Sequence, residues 1–424
     1  MSAAGEGSRR RAVAAWCLYD WANSAFPTIV STFLFAAYVS KAVAPDPVSG
    51  TAAWGQMMSL TGLIVAILSP LLGAVADQGG RRKPWLLALS AIAILGTASL
   101  WYVRPQADDL LFALIAAGIA TAGFELATVF YNALLPEVTT PRHIGRVSGW
   151  GWGLGYAGGL ACLALALFVF VQPKPPPFGL DPALAEQVRI VGPLAAVWFA
   201  VFALPLFLFV PDRAAGALAP FEAMRRGIGV LFKTLRQVRR YANVARFLLA
   251  KMIYIEGLNT LFAFGGIYAA GSFGMGLEEV LLFGIVLNIA AGAGAFAFAW
   301  VDDWIGAKRT ILISLGALML FGLPAVLVTD KTAFYIVATG LGIFLGPAQA
   351  ASRSLMARLA PPERMTEFFG LYSLAGKVTS FVGPALFGWI TWATGSQRAG
   401  MAALLVFFLV GFILLLPVRE PSRD

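Results

Sequence analysis

The chain has 424 residues, 59% of them hydrophobic and 12% charged, with a mean hydropathy of +0.78. Soluble domains carry about 25% charged residues, so this composition excludes a water-soluble domain and indicates an integral membrane protein. The formal net charge of +9 would also suit a nucleic-acid binder, and the positions of the basic residues decide between the two.

A spanning helix needs ~20 mostly apolar residues. Twelve segments qualify in chain order: 13–43, 53–76, 85–103, 109–136, 144–171, 189–210, 245–271, 278–301, 308–328, 331–357, 367–393 and 399–417. Arg9–Arg11 and Ala42-Val-Ala44 imitate a cleaved leader, but the intervening run is long, contains Asp20 and is followed by Pro45. It is expected to stay as the first helix. With the N-terminus on the cytoplasmic side, that side holds 22 of the 31 basic residues and the opposite side six. Such a bias places both termini in the cytoplasm. The basic residues thus set topology, and no nucleic-acid partner is expected.

Between the sixth and seventh segments, apolar Phe221, Met224, Ile228, Leu231 and Leu235 alternate with Arg225, Arg226, Lys233, Arg236 and Arg240. This spacing predicts amphipathic helices lying on anionic membrane lipid. The chain accordingly divides into a six-helix bundle (1–210), a basic cytoplasmic linker (211–243) and a second six-helix bundle (244–424).

The halves carry a repeat. Gly73-x-x-x-Asp77-x-x-Gly80-Arg81-Arg82-Lys83 follows the second span, and Asp303-x-x-Gly306-Ala-Lys308-Arg309 follows the eighth, 226 positions later. A second match, 221 positions apart, sets Asn132, Pro141, Gly149 and Gly155 against Arg353, Pro362, Gly370 and Gly376. In the first pattern an aspartate ends a helix and glycines permit a tight turn. Asp77 is then expected to pair with the following basic residues or with a neighbouring helix end. This makes Gly73, Asp77, Gly80, Arg81, Arg82, Asp303, Gly306, Lys308 and Arg309 a candidate cytoplasmic gating motif; a plain topology anchor is the alternative.

GAVADQGGRRK resembles the signature loop of the major facilitator superfamily, which implies an all-α fold of two six-helix bundles related by a parallel repeat. YDWANSAF, YNALLPEV, GRVSGWGWGLGYAGG, SRSLMARLAPP and EFFGLYSLAGK resemble one subgroup of it, the "unknown major facilitator" family. That subgroup is similar to fungal autophagy-related vacuolar amino-acid effluxers, and the resemblance implies an amino acid as solute. Asp20-x-x-Asn23 and Glu125 also fall where glycoside–pentoside–hexuronide cation symporters carry acidic residues. Those symporters add an acidic pair in the second helix, whereas residues 53–76 contain no carboxylate.

Six ionisable residues lie well inside spans: Asp20, Glu125, Lys251, Glu256, Arg353 and Lys377. A charge in hydrocarbon costs at least ~2.5–3.5 kcal/mol on insertion scales, so each needs a partner or a polar cavity. Asp20 with Asn23, and Glu256 with Asn259, are acid–amide pairs three residues apart on one helix face. Asp20, Glu125 and Glu256 are the candidate sites for a coupling proton or other cation; a structural hydrogen bond is the alternative for Asp20. Asn23, Asn132, Asn259, Gln349, Arg353 and Lys377 are the candidate solute contacts. Arg353 suits a carboxylate through two-point binding, or it pairs with Glu125 or Asp20. Lys377 is either a partner of Glu256 or a second anion contact, and Lys251 is expected to extend towards the cytoplasmic surface. The Gly151/Gly155 and Gly155/Gly159 spacings predict close helix packing.

Cys17, Cys162 and His143 form no metal-binding spacing, and neither a metal nor a cofactor is expected. Without a Gly-x-Ser-x-Gly or His-Glu-x-x-His motif, the sequence reads as a transporter of small polar solutes and not as an enzyme. The alternatives are a sodium-coupled sugar or glycoside symporter and a lipid flippase. The Ala, Gly and Arg content suggests the cytoplasmic (inner) membrane of a bacterium, and a monomer is expected.

Overall fold

A computed structural model describes residues 3–214, 220–237 and 239–421, and every described element is helical. Among the described residues, eleven helices are long and apolar enough to cross a membrane: Glu6–Val43, Pro47–Gly79, Lys83–Tyr102, Ala107–Ala133, Pro141–Val171, Glu186–Phe209, Ala242–Phe273, Glu278–Ile305, Ala307–Leu327, Lys331–Leu359 and Gln397–Leu415. The expected eleventh segment is present as two shorter helices, Met365–Lys377 and Val382–Thr394, so the 6+6 pattern of twelve spans is kept.

The break between them has a local cause. Proline lacks an N–H and its ring clashes with the carbonyl four residues earlier. Pro384 sits in the first turn of the second half-helix, where its missing N–H costs nothing, and the carbonyl it would crowd belongs to Ser380, inside the break. Pro27 acts similarly in the first span. Residues Pro27–Phe33 run in widened, π-type turns, three residues beyond the regular helix Ala3–Asn23. Pro347, by contrast, lies in an uninterrupted helix, Lys331–Leu359.

The chain folds into two compact units. The first comprises Met1–Leu68, Gly80–Val138 and Leu154–Gly216. Its first span is pinned to the fourth by aromatic rings: Tyr131 stacks on Trp16 at 4.4 Å and on Tyr19 at 4.7 Å. Trp16 Nε1 donates to the Tyr131 carbonyl, and the Tyr131 hydroxyl donates back to the Trp16 carbonyl, both at 3.1 Å. The close packing expected at Gly155 and Gly159 is observed, and Gly158 beside them packs as tightly. A Cβ on Gly158 would fall 2.8 Å from the Trp21 Cα, and one on Gly155 would meet the Ser24 hydroxyl at 2.7 Å.

The second unit comprises Ser69–Gly79, Thr139–Gly153 and Ala217–Asp424. The end of the second span and the start of the fifth thus pack with the second half of the chain. Both do so through the repeat seen in the sequence. A Cβ on Gly149 would lie 2.6 Å from the Ala295 carbonyl oxygen, and one on Gly370 would lie 2.6 Å from the Pro70 Cα, beside the Ser69 carbonyl. Gly149 and Gly370 match at 221 positions, Ser69 and Ala295 at 226, so one helix contact occurs twice. The linker carries the helix Pro220–Arg236. Residues 215–219 and 238 of that segment lie outside the described residues, as do the side chains of Phe221 and Leu235.

Candidate functional site

In the first unit, Asp20 and Asn23 share the buried face of the first span, 9% and 4% exposed. They lie one turn before the widened turns, opposite Gly155 of the fifth span, whose absent side chain leaves room for Asp20 and Ser24. The Ser24 hydroxyl donates to Asn23 Oδ1 at 3.4 Å. Glu125 is partly buried in the fourth span, and Asn132, near that helix's end, is 7% exposed.

In the second unit, Glu256 is 1% exposed and faces the break in the eleventh span. Its Oε1 accepts from the Thr379 hydroxyl at 3.0 Å and its Oε2 from the Gly383 N–H at 3.3 Å, one donor within the break and one just beyond it. Thr260, one turn further along the seventh span, is fully buried against Gly383, and its Oγ1 has no hydrogen-bond partner among the described residues. Lys377 ends the first half-helix and is partly buried. Asn259 is exposed, so it does not share the buried environment of Glu256.

Lys251 differs from expectation. It is 4% exposed, donates to the Tyr372 carbonyl at 2.9 Å and lies over the Tyr372 ring at 3.8 Å. The carbonyl and ring π-face satisfy the ammonium locally, so the side chain has no need to extend to the surface.

Arg353 is 3% exposed and tied to the fifth span. Its Nε donates to Ser148 Oγ at 2.9 Å and its Nη2 to the Ser148 carbonyl at 2.6 Å, with the guanidinium over the Trp152 ring at 5.6 Å. Ser148 Oγ donates onward to the Ala350 carbonyl at 2.8 Å. Gln349, one turn before Arg353, is partly buried.

The gating motif forms around helix ends. Asp77 accepts the backbone N–H groups of Thr366 at 3.2 Å and Glu367 at 2.8 Å, at the start of the eleventh span. Asp303, its repeat counterpart, accepts the N–H of Arg146 at 3.1 Å and pairs with its Nε at 3.3 Å, at the start of the fifth span. Free N–H groups and the helix dipole favour a carboxylate at such ends. Of the two partners expected for Asp77, the helix end is therefore one it takes. Gly80 and Gly306 turn the chain with φ of 80° and 104°, backbone that favours glycine. Gly73 lies against the Thr366 carbonyl, where a side chain would collide.

A second duplicated pair has little signal in the sequence. Asp212 accepts the N–H groups of Arg82 and Lys83 at 3.0 and 3.2 Å, and Glu420 accepts those of Ala307 and Lys308 at 3.1 and 3.0 Å. Its one faint sign is the match of Val210-x-Asp212 to Val418-x-Glu420. Arg82, 1% exposed, donates to Glu137 at 3.1 Å and to the Ala133 carbonyl at 3.0 Å. Lys308 Nζ donates to the Leu416 carbonyl at 2.6 Å. Arg358 joins Asp302 at 2.7 Å and Glu420 at 2.9 Å, and the Ser354 hydroxyl donates to Asp302. Arg81 and Arg309 are exposed. Among the described residues, no three His, Cys, Asp or Glu side chains converge on a metal position.

A family described as "Vacuole effluxer Atg22 like" matches residues 43–422. The chain belongs to this Atg22-like family. It is 28% identical over 410 residues to YxiO, an uncharacterized MFS-type transporter of Bacillus subtilis strain 168, covering 96% of this chain and 94% of that protein. Autophagy-related protein 22 of Coccidioides immitis is 23% identical over 86% of this chain and 72% of its own. The match to the Cryptococcus neoformans protein of that name (serotype D, strain JEC21), 26% identical, spans 53% of this chain and 43% of the relative. Among solved structures, the major facilitator FucP in its outward conformation superposes with a TM-score of 0.77 over 98% of this chain and 100% of FucP, at 13% identity. The human organic anion transporter MFSD10 superposes at 0.72 over 96% and 99%, at 15% identity. This Atg22-like protein is a multi-pass membrane transporter with the major facilitator fold, and transporters of this superfamily carry small-molecule solutes.

Proposed function

We propose that the protein is a secondary active transporter that moves a small polar solute, an amino acid or related metabolite first, by alternating access coupled to protons. The observation that carries this reading is the placement of Glu256: a carboxylate 1% exposed in a spanning helix, engaged by one donor within the break of a neighbouring span and one just beyond it. Interrupted spans with polar residues at the break occur at transporter binding sites. A carboxylate there can hold a proton at one stage and hydrogen-bond donors at another.

Asp20, Glu125 and Glu256 are the coupling residues in this reading. Asn23, Asn132, Asn259, Gln349, Arg353 and Lys377 contact the solute. The bundles 1–210 and 244–424 are the moving parts, with the Asp77 and Asp303 motifs as the cytoplasmic latch that opens in each cycle. In this reading the protein works as a monomer in a bacterial cytoplasmic membrane, and the lysine and arginine distribution supports both termini inside. An amino acid is supported by the resemblance to fungal vacuolar amino-acid effluxers and by oppositely charged side chains at one break, Lys377 at its edge and Glu256 on the seventh span facing it. The test is uptake of labelled amino acids and sugars into proteoliposomes under an imposed pH gradient, repeated with a sodium gradient. Accumulation that follows sodium and ignores pH would replace the proton with sodium.

A further inference from the structure

The linker helix Pro220–Arg236 shows three different sides. At about 100° per residue, Ala223, Gly227, Leu231 and Thr234 share one side, all buried. Met224, Ile228 and Phe232 form the adjoining apolar side, with Met224 43% and Phe232 57% exposed. Arg225, Arg226, Lys233 and Arg236 form the third, all exposed, with a single acid, Glu222, paired to Arg226 at 2.6 Å.

The buried side rests on the gating motif. A Cβ on Gly227 would lie 2.7 Å from the Val75 Cα, two residues before Asp77. Thr234 Oγ1 accepts from Arg364 at 2.9 Å, just before the helix end that Asp77 caps. The helix thus bears on both partners of the Asp77 contact, while Met224, Phe232, Arg225, Arg226, Lys233 and Arg236 stay exposed.

We infer that this helix is a docking surface for anionic lipid headgroups and that the docked lipid holds the Asp77 contact closed. A helix tethered between two spans, with an exposed apolar stripe beside a basic one, matches the boundary between acyl chains and negatively charged headgroups. The apolar stripe argues for a lipid and against a soluble phosphate, which would use the basic side alone. Lipid docking presses the buried side onto residues 74–75 and Arg364, so it favours the state in which Asp77 caps the eleventh span.

The test uses the full chain in nanodiscs of phosphatidylcholine, with or without phosphatidylglycerol, followed by hydrogen–deuterium exchange. Phosphatidylglycerol is expected to slow exchange at least about threefold both in 223–234 and in 72–79 with 365–372. The variant R225Q/R226Q/K233Q/R236Q should lose that difference, and R225K/R226K/R236K should keep it. Equal exchange in both lipids, protection of the linker helix without the Asp77 segments, or the same protection from soluble glycerol phosphate would each overturn the proposal.

Discussion

Asp77 Oδ2 accepts the backbone N–H of Glu367 at 2.8 Å, joining the end of the second span to the start of the eleventh. The same join recurs between Asp303 and Arg146 at the eighth and fifth spans. A carboxylate capping two N–H groups contributes about 1 kcal/mol from the cap and a further 0.3–1 kcal/mol from the helix dipole. Asp77→Asn should keep a weaker neutral cap, lower thermal stability modestly and speed hydrogen exchange at 365–372. Asp303→Asn should do the same at 144–150. Unchanged exchange in both variants would show that these contacts do not hold the helix ends.

Arg353 poses a choice that double-mutant cycles can decide. If its bonds to Ser148 are its main role, Arg353→Lys and Ser148→Ala will each destabilise the protein, and the double variant will cost clearly less than the sum. A coupling of about 1.5–3 kcal/mol suits a hydrogen bond to a charged group. If Arg353 also holds the solute, Ser148→Ala will leave the solute KM nearly unchanged while Arg353→Lys raises it several-fold, since a lysine cannot reproduce two-point binding.

Close packing of the first and fifth spans gives a paired stability test. Gly158→Ala places a methyl against the Trp21 backbone, and overpacking of this kind costs about 1–3 kcal/mol. A Cβ on Gly388 meets nothing within 4 Å, so Gly388→Ala should be neutral or slightly stabilising through helix propensity. Melting curves in detergent check both, and a Gly158→Ala protein as stable as the parent would contradict the packing account.

The break in the eleventh span should be removable. Pro384→Ala restores an N–H four residues after Ser380 and removes the ring that crowds its carbonyl. The expected outcome is a protein of equal or higher thermal stability, with slower hydrogen exchange at 378–384 and a transport rate reduced at least about tenfold. Full transport by a protein whose span has closed would show that the break is dispensable.

Much of this is legible in the sequence because it follows from local chemistry. Apolar runs locate the spans, and the glycine-flanked aspartates locate the duplicated helix-end contacts, since a turn at positive φ needs Gly80 and Gly306. The Gly149–Gly370 match is visible too, though its meaning as one helix contact made twice needs the partners, Ala295 and Ser69–Pro70. Side-chain partners distant in sequence are not legible. Ser148 reads as one more small residue in a glycine-rich helix until Arg353 is placed beside it. Asp212 and Glu420 read as charges at the ends of spans. The eleventh span reads as continuous because Val378, Phe381 and Val382 keep it apolar, and only the offset from Pro384 to Ser380 hints at the break. Lys251 reads as a lysine that seeks the surface because a sequence shows no carbonyl and no ring waiting for it at Tyr372.

The central claim is that Glu256 titrates at the broken span while solute crosses. Its most direct measurement compares the parent protein with Glu256→Gln in proteoliposomes, scoring both pH-driven accumulation of a labelled amino acid and solute exchange at equal pH on both sides. Glutamine keeps the size of the side chain, and its one carbonyl oxygen can accept from the Gly383 N–H while its amide N–H donates to the Thr379 hydroxyl, but it cannot take up or release a proton. The expected result is loss of accumulation with exchange retained. Accumulation at the parent level in Glu256→Gln would contradict the claim and leave Glu256 as a structural clamp on the eleventh span.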